Sequence, residues 1–385
     1  MMRRFVNLVT LSCSERVYSV RRMDPYKQFF YPSAKAAIEA AADEATMEVS
    51  FPALPTLQLP RPIMNFTARG SSTMYGHECS LDMFALLSPR GTSEGRILYA
   101  NSNGEAGLYD ADKHLHSTMG LLSAPKGDRS VCLSIAHPGS KEDSMYVLDL
   151  NSNPGMADGR CFEVLEFTTS VRGMSNLAPK TWRWRLLPPP PFIGQPGYRP
   201  SHISAYATMV DGNGCSTIYV SCSGIGTYRF ETARHDPSCR EGWSPSEEWS
   251  YLGPLALPFD GRAHYVPELN LWFGFSPSFL NHLRVADLSD MDLERRPPMT
   301  LQDWDDLSPP DGQVWIPMFS SLVNLGGGKF LVVKGFESGA TGAFFAVLTG
   351  IEMMMAGVGD HQSLTMVKHK CVQFIVGDDR IECVL

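Results

Sequence analysis

The chain has 385 residues, of which 43% are hydrophobic and 19% are charged, and its formal net charge is −8 at pH 7. This composition excludes an intrinsically disordered chain, because such chains combine few apolar residues with many charges. The acidic balance also lacks the basic footprint of a nucleic-acid-binding protein. No run of about eighteen apolar residues occurs, so we expect a soluble protein without a transmembrane helix and no membrane partner.

Nine cysteines are spread along the sequence, and no two of them form a C-x-x-C pair. An odd count without paired spacing does not support a zinc ribbon or a secreted disulfide framework. The sequence therefore predicts buried thiols in a reducing compartment, the cytoplasm or the nucleus.

The N-terminus, MMRRFVNLVTLSCSERVYSVRR, combines five arginines with one acidic residue. An arginine-rich, acid-poor start is typical of a mitochondrial presequence, which is the alternative localisation. Residues 5–10 and 16–20 are runs of β-favouring residues, so the main prediction is a pair of strands within residues 1–24.

An alanine-rich segment follows and predicts one short helix over residues 33–47. Ser33 is its expected N-cap, and Ile38 and Ala42 are expected on one helix face. Residues 50–62 contain four prolines and are predicted to form an extended surface connector that leads from one blade to the next.

From residue 63 to the end, short runs of β-branched and aromatic residues alternate with turn residues. The runs fall into groups of about four that recur after roughly 45 to 60 residues, which is the repeat scale of propeller blades. We therefore predict an all-β chain, a β-propeller that occupies residues 1–385 as a single domain, with blades over 63–385. A β-sandwich would give similar strands but not this fourfold grouping.

The two ends of the chain are predicted to meet. The strands within 1–24 are too few for a blade, and so are residues 372–376 and 380–385 at the other end. Placing both ends in one composite sheet closes the ring and removes its free edges. This arrangement predicts six blades, with five or seven as alternatives.

Several motifs resemble degenerate kelch repeats: the Tyr-Val-Leu-Asp-Leu strand at 146–150, the Trp182-x-Trp184 pair before prolines, and the Gly327-Gly328 doublet. More specifically, the RRFVNLV opening, the YPSAKAAIEAA helix, and GTYRFET followed by LPFDGRAHYVPELNLWFGFS resemble a plant family of unknown function that is expanded in grasses. The resemblance covers most of the chain and implies a kelch-like β-propeller. It implies no activity, and it carries no functional residues over to this sequence.

Two glycine-rich segments superficially suggest phosphate binding. Residues 326–329 read Gly-Gly-Gly-Lys, but Val323 stands where a phosphate loop opens with glycine, and Phe330 stands where a hydroxyl would bind magnesium. Residues 224–226 read Gly-Ile-Gly and lack the third glycine of a dinucleotide fingerprint. Both segments are predicted to be turns.

The segment 274–276 could open a nucleophile elbow, but Ser278 replaces the closing glycine. Nothing in the sequence points to a Ser-His-Asp triad. No catalytic or cofactor-binding residue is therefore assigned, and no cofactor is expected.

His114 and His116, with Asp110 and Asp112, form the densest metal-like cluster, but they lack the glycine and the distal glutamate of a calcium loop. They are predicted to be an exposed turn. One further pair, at positions 369 and 371, is a histidine and a cysteine on the same side of a strand, two ligands short of a zinc site. No metal-binding residue is assigned.

These observations favour a non-enzymatic interaction module that presents propeller loops to an unknown protein partner. The long polar loops 68–80, 151–160 and 233–246 are candidate contact regions, and they could equally be plain surface loops. The alternative is an enzyme with its active site in the central funnel. Several carboxylates or histidines lining the funnel would favour the enzyme, whereas small and apolar residues would favour the module.

Overall fold

The computed structural model describes residues 2–46, 54–67, 81–87, 95–127, 130–137, 140, 142–150, 159–169, 180–195, 197–199, 203–211, 214–235, 243–244, 246–278, 281–288, 293, 298–305, 307, 309, 313–356, 363–377 and 379–385. The chain divides into two compact units. Unit 1 comprises Met1–Thr67, His264–Ser289 and Met299–Leu385, and unit 2 comprises Ala68–Ala263 and Asp290–Pro298.

The described part contains two α-helices where the sequence predicted one. Helix α1 (Pro25–Phe29) is the additional helix. The side chain of Asp24 caps it by accepting a hydrogen bond of 3.3 Å from the backbone N–H of Lys27. Pro25 has the fixed φ that suits the first helical position, so a local signal for α1 was present.

Helix α2 (Ala34–Thr46) confirms the predicted helix, and residue 47 lies outside the described residues. Ser33 accepts a hydrogen bond of 3.2 Å from the backbone N–H of Ala36, as expected for an N-cap. Ile38 and Ala42 are both exposed and lie on one face of the helix, as the four-residue spacing predicted. The helix contacts strand β26 (Ser363–Gly377), and Ala37, which is 1% exposed, is buried.

The rest of the described chain is dominated by β-strands, which confirms the all-β class. In chain order they are β1 (Val6–Ser12), β2 (Val17–Met23), β3 (Thr56–Gln58), β4 (Pro62–Thr67), β5 (Leu81–Leu87), β6 (Arg96–Asn101), β7 (Glu105–Asp110), β8 (Leu115–Leu121), β9 (Ser130–Ile135), β10 (Ser144–Asp149), β11 (Phe162–Thr169), β12 (Lys180–Leu186), β13 (Ile203–Val210), β14 (Ser216–Cys222), β15 (Gly226–Glu231), β16 (Arg234–His235), β17 (Trp243–Ser244), β18 (Glu248–Gly253), β19 (Asp260–Val266), β20 (Leu271–Phe275), β21 (Leu283–Asp287), β22 (Met299–Trp304), β23 (Trp315–Gly326), β24 (Lys329–Ser338), β25 (Phe344–Ala356), β26 (Ser363–Gly377) and β27 (Asp379–Val384).

Unit 2 holds three successive groups of four hydrogen-bonded strands. They are β5-β6-β7-β8, β9-β10-β11-β12 and β13-β14-β15-β18, and β16 and β17 form a small separate hairpin. The printed pairings within these groups are antiparallel between chain neighbours, as in a meander. The predicted fourfold grouping of strands is therefore present in this unit.

Unit 1 holds three more groups. One is β20-β21-β22 with β19, the strand on which the chain passes out of unit 2. The second is β23-β24-β25-β26, to whose outer edge the three-residue β3 adds in parallel. The third has the order β27-β1-β2-β4 and contains both ends of the chain.

The sheet that joins the chain ends agrees with the prediction in part. Strand β1 pairs with β27, with Leu8 opposite Val384 and Ser12 opposite Asp379. Residues 372–376 do not join this sheet as predicted, because they belong to β26 and pair with β25. The connector 50–62 also differs from its prediction: its described part forms β3 on β26 and then returns to the sheet of β1 and β2 as β4, instead of leading to a further sheet.

One sheet in each unit buries side chains on both of its faces. In unit 2, Met145 and Val147 of β10 pack against the sheet of β5–β8, whereas Tyr146 and Leu148 pack toward the sheet of β13–β15. In unit 1, alternate residues of β24 likewise enter two different clusters. Because alternate side chains of a strand point to opposite faces, the β9–β12 sheet and the β23–β26 sheet each lie between two others of their unit.

Glycine at position 350 is required where α1 meets the β23–β26 sheet. A Cβ atom at this position of β25 would collide with the backbone carbonyl group of Phe29, the last residue of α1. Phe29 is fully buried and its ring packs edge-on against Phe374 at 6.2 Å between ring centroids. The glycine therefore allows the helix to lie directly on the sheet.

We predict that deleting residues 2–24 will cause the protein to aggregate or fail to express. The deletion removes β1 and β2 and leaves β27 and β4 without their neighbours, which creates unpaired strand edges. The smaller change Leu8→Ala should lower the free energy of unfolding by about 2–5 kcal/mol. Glu15→Ala, in the exposed turn between β1 and β2, should change it by no more than about 0.5 kcal/mol.

Size-exclusion chromatography and urea unfolding monitor these variants. A truncated protein that is monodisperse and melts like the full chain would show that the strands at the two ends do not depend on each other.

Candidate functional site

Two of the strands that come earliest in the sheets of unit 2 contact each other. Strand β5 contacts β9, and β13 has β19 as its neighbour on the side away from β14. Alternate residues of β9 are buried, whereas Ser130, Cys132 and Ser134 between them are only partly buried. Strand β9 thus alternates between buried apolar side chains and partly buried polar ones.

Five side chains form what we call the Arg262 cluster: Ser130, Cys132, Tyr206, Asp260 and Arg262. They come from β9, β13 and β19, three strands of unit 2 that are separated in sequence. The charge of Arg262 is close enough to lower the pKa of both Cys132 and Tyr206, although burial outweighs it in each case. The electrostatic effect of Arg262 therefore reaches a thiol on β9 and a phenol on β13.

Cys132 is a protonated thiol at neutral pH. Burial raises its pKa to about 11, against the smaller opposing effects of Ser130 and Arg262. The Ser130 hydroxyl oxygen lies 3.7 Å from the Cys132 sulfur. Since the thiolate is the nucleophilic form of cysteine, this environment does not activate Cys132 for covalent catalysis.

Tyr206 also keeps its proton. Burial raises the pKa of its phenol; Arg262 opposes the shift, and Cys132 and Asp260 add to it. Within the described part of the chain its hydroxyl makes no hydrogen bond, so the O–H group is available as a donor.

Arg262 is exposed and forms no ion pair or hydrogen bond with another described residue. Asp260 precedes it by two residues on β19 and therefore lies on the same side of the strand. Asp260 is also the only carboxylate residue on β9, β13 and residues 260–263 of β19. The cluster consequently offers hydrogen-bond donors in excess of acceptors.

A second polar cluster in unit 2 is structural. Lys126 and Glu163 form an ion pair with side chains that are 1% and 0% exposed. The Lys126 ammonium also donates to the carbonyl oxygens of Ala124 (3.0 Å) and Arg160 (2.6 Å), and Glu163 accepts from the backbone and hydroxyl of Ser123. All of these partners are residues of the protein, so the pair holds the segment that precedes β9 against β11. Its polar atoms are therefore not available to a ligand.

His114 and His116 do not share a ligand site. Residues 111–114 form the turn between β7 and β8, where the Asp110 carboxylate accepts from the backbone N–H of Lys113 at 3.1 Å. His116 lies in β8 and not in the turn, which corrects the prediction of an exposed turn for this residue. Its Nδ1 is 3.3 Å from the Tyr99 hydroxyl, and burial lowers its pKa.

His369 and Cys371 likewise have separate partners. The Nδ1 of His369 accepts from the backbone N–H of Tyr31 at 3.2 Å, and its Nε2–H donates to Glu352 at 3.2 Å. Burial is the main effect that lowers the pKa of His369. The Cys371 sulfur lies 3.1 Å from the Thr349 hydroxyl. This histidine ties the segment between α1 and α2 to β26.

The remaining motifs of the sequence form ordinary turns. Residues 224–226 connect β14 to β15, and residues 326–328 connect β23 to β24 with positive φ at all three glycines. The Ser276 hydroxyl bonds to the Ser278 hydroxyl at 2.7 Å, and no hydrogen bond joins it to a histidine side chain. A nucleophile elbow is therefore not formed here.

No group of three or more histidine, cysteine, aspartate or glutamate side chains in the described ranges could hold a metal ion. Among the same residues, no helix is long and apolar enough to cross a bilayer, and no disulfide joins the cysteines. The predicted contact loop 68–80 lies outside the described residues, as do most of 151–160 and 233–246.

Sequence reasoning missed the Arg262 cluster. Each member comes from a strand without a recognisable motif, so only the alternation of Ser130, Cys132 and Ser134 on β9 gave a local signal. The Lys126–Glu163 pair had a weak signal, since Glu163 lies between the apolar residues Phe162 and Val164 of β11.

A family model described as "Protein of unknown function (DUF1668)" matches residues 3–374. Comparison with curated proteins gives no match. Among solved structures, one named "Crystal structure of putative exo-beta-1,3-galactanase from Bifidobacterium bifidum s17" is 13% identical with a TM-score of 0.35. That match covers 76% of this chain and 93% of the other.

We predict that Lys126→Met will lower the free energy of unfolding by about 3–5 kcal/mol, because it leaves the Glu163 carboxylate buried without its counter-charge. Lys113→Met is the matched control. Its pair with Asp110 spans 3.3 Å, but the lysine side chain is 69% exposed, so the loss should not exceed about 1 kcal/mol. Urea unfolding followed by tryptophan fluorescence measures both, and equal losses would contradict the structural role of the buried pair.

We predict that iodoacetamide will modify Cys132 much more slowly than the exposed Cys13 in the folded protein. With a pKa of about 11, roughly one Cys132 in a thousand is a thiolate at pH 8. Arg262→Gln should slow the reaction further, since the guanidinium lowers the pKa of the thiol. Peptide mass spectrometry over time gives both rates, with urea-unfolded protein as the control in which the two cysteines should react alike.

Proposed function

From the premise that this chain belongs to the DUF1668 family, whose description assigns no function, we propose that it is a six-bladed β-propeller that acts as a non-catalytic binding module for a protein partner. The kelch-like type of the blades remains part of this proposal and rests on the sequence motifs alone.

The arrangement of sheets within each unit supports the propeller. In unit 2 the sheets of β5–β8 and β9–β12 contact each other through their earliest strands, β5 and β9, and through their last strands, β8 and β12. In unit 1, the Nε2–H of His264 on β19 donates to the carbonyl of Leu322 on β23 at 2.9 Å, and β23 contacts β27. Consecutive sheets stacked in the same orientation are the pattern that propeller blades follow.

The shared sheet of the chain ends supports the same proposal. In the β27-β1-β2-β4 sheet, strand β27 lies at one edge. In the other sheets, this edge position is taken by the strand that comes earliest in the chain. A ring of blades that ends on a composite blade leaves no open sheet edge at its seam. Three such sheets in each unit give six blades.

The observation that carries the non-catalytic assignment is the chemistry of the earliest strands. On β9, β13 and residues 260–263 of β19 the side chains are small, apolar or hydroxylic apart from Asp260 and Arg262, and none is a histidine; Asp82 of β5 and His264 of β19 lie outside these stretches. General acid–base catalysis needs groups that titrate near neutral pH. The pKa values of Cys132 and Tyr206 are raised instead, so neither residue supplies such a group.

We therefore expect the partner to bind the loops that connect the strands, because variation of loop sequence changes the protein surface without changing the fold. The three long polar loops 68–80, 151–160 and 233–246 all belong to unit 2. They are the segments whose replacement should affect binding most.

The test replaces each loop in turn with a glycine–serine linker of equal length in the tagged full chain. The matched control makes the same replacement in the exposed turn 339–342 between β24 and β25. We expect at least one long-loop variant to lose a protein that crosslinks to the wild type, with an unchanged melting temperature, while the control retains it. Binding that survives all three replacements would contradict the proposal, and so would turnover of a substrate that Tyr206→Phe abolishes.

A further inference from the structure

His369 of β26 is a buried histidine that joins three elements of unit 1 through its two ring nitrogens. Its side chain is 0% exposed. Nδ1 lies 3.2 Å from the backbone nitrogen of Tyr31, and Nε2 lies 3.2 Å from the Glu352 carboxylate on β25. A backbone N–H can only donate, so Nδ1 must be the acceptor and the ring proton must be on Nε2. The two contacts therefore specify the neutral form of the ring.

The segment that His369 holds leads directly into helix α2. The Phe30 ring lies 4.8 Å from the imidazole between ring centroids, and the Tyr31 ring stacks on it at 6.3 Å. Helix α2 contacts β26, but within residues 34–43, whose side chains the structure describes, only Ala37 is buried. One alanine provides little apolar burial, so the attachment of α2 to the sheet depends on the contacts of residues 30 and 31 with His369.

Two charged groups on the neighbouring strands act on His369 in opposite directions. Burial of the ring is the largest effect and lowers the pKa of His369. The Glu352 carboxylate favours the protonated ring and opposes this shift. Glu352 also pairs with Lys329 of β24, whose positive charge disfavours an imidazolium beside it. The balance of these effects leaves the ring neutral in the folded protein.

The other charged groups near this contact do not favour an imidazolium. The Lys370 ammonium lies 5.1 Å from the centre of the Tyr31 ring and adds a further positive charge. On α2, Lys35 and Glu39 lie 3.7 Å apart and are largely exposed, so they interact mainly with each other and with solvent.

Protonation of His369 is incompatible with the contact to Tyr31. A proton on Nδ1 would face the backbone N–H of Tyr31, which places two donors against each other and removes the hydrogen bond. The charged ring would also remain buried under Phe30 and Tyr31, where water cannot solvate it. Movement of the covering segment away from β26 relieves both costs.

We propose that His369 is a pH-sensitive latch that holds residues 30–46, including α2, on β26 while the ring is neutral and releases them when it is protonated. Because the pKa of His369 is lowered from its ordinary value of 6.5, the latch is closed above that value. It weakens as the pH falls from there through the lowered pKa. Release uncovers the surface of β26 that α2 contacts. The latch lies in unit 1 and does not involve the loops of unit 2 that the proposed function assigns to a protein partner.

The experiment measures hydrogen exchange of the full chain by mass spectrometry at pH values of about 7.5 and about 5, on either side of the ordinary histidine pKa. Exchange rates are corrected for the intrinsic effect of pH on amide exchange. We expect residues 30–46 to lose several-fold in protection at the lower pH and to regain it at the higher pH. Peptides from β24 and β25 should keep their protection at both pH values.

Three variants separate the latch from a general effect of acid. His369→Asn retains an acceptor oxygen near the position of Nδ1 but cannot titrate, so its protection of residues 30–46 should not change between the two pH values. Glu352→Gln removes the charge that favours the protonated ring, so the midpoint of release should move to lower pH. His114→Asn is the matched control, because His114 is an exposed histidine of unit 2 with a φ of 52°, which asparagine tolerates. It should leave the pH dependence unchanged.

Equal corrected protection of residues 30–46 at both pH values in the wild type would overturn the proposal. The same pH dependence in His369→Asn as in the wild type would also overturn it. Loss of protection in β24 and β25 together with residues 30–46 would show that acid unfolds the sheet as well, which contradicts a local latch. Melting temperatures check that each variant is folded. If His369→Asn is not, Glu352→Gln decides, and a midpoint that does not move would contradict the proposal.

Discussion

The middle sheet of each unit depends on burying side chains on both of its faces. The alternating residues of strand β10 show this burial on both faces. Met145 and Val147 belong to one hydrophobic core, and Tyr146 and Leu148 belong to another. Strand β24 does the same in unit 1 with Phe330 and Val332 on one side and Leu331 on the other. A sheet with two apolar faces is unstable alone and must lie between two neighbours, so the sheets are stacked in series within each unit.

Stacking sheets in this way leaves polar backbone and side-chain groups at their connections, and these groups need partners. The Lys126–Glu163 pair meets this need before β9. In the third sheet of unit 2, the hydroxyl groups of Ser221 and Thr227 bond to each other at 2.7 Å and to the connector that follows β18, at Leu255 and Leu257. Both networks are fully inside the protein, so they hold connections between strands and are unsuited to ligand binding.

The Arg262 cluster differs from these networks in its position and its chemistry. Arg262 is exposed and Tyr206 makes no hydrogen bond to a described residue, whereas Cys132 lies 3.7 Å from the Ser130 hydroxyl. The same environment that keeps Cys132 and Tyr206 protonated makes them poor catalysts and good hydrogen-bond donors. The chemistry of the earliest strands therefore supports the non-catalytic function that we propose.

The sequence alone determined the features that depend on neighbouring residues. Apolar and aromatic runs indicated the strands, glycines marked the turns at 224–226 and 326–328, and Ser33 with the alanines that follow it specified α2. Local patterns were less informative about α1, whose signal is one turn long, and about β8, whose His116 was predicted to be part of a turn.

Only the tertiary structure decided which elements meet. The pairing of Leu8 with Val384 joins the two ends of the chain, and the burial of Ala37 in place of Ile38 follows from the sheet beneath α2. The proximity of Arg262 to Cys132 and Tyr206 likewise depends on three strands that are separated by long stretches of sequence. Local residues set backbone preference and the alternation of side chains, but non-local contacts are selected by the burial of whole faces, which no short segment of sequence encodes.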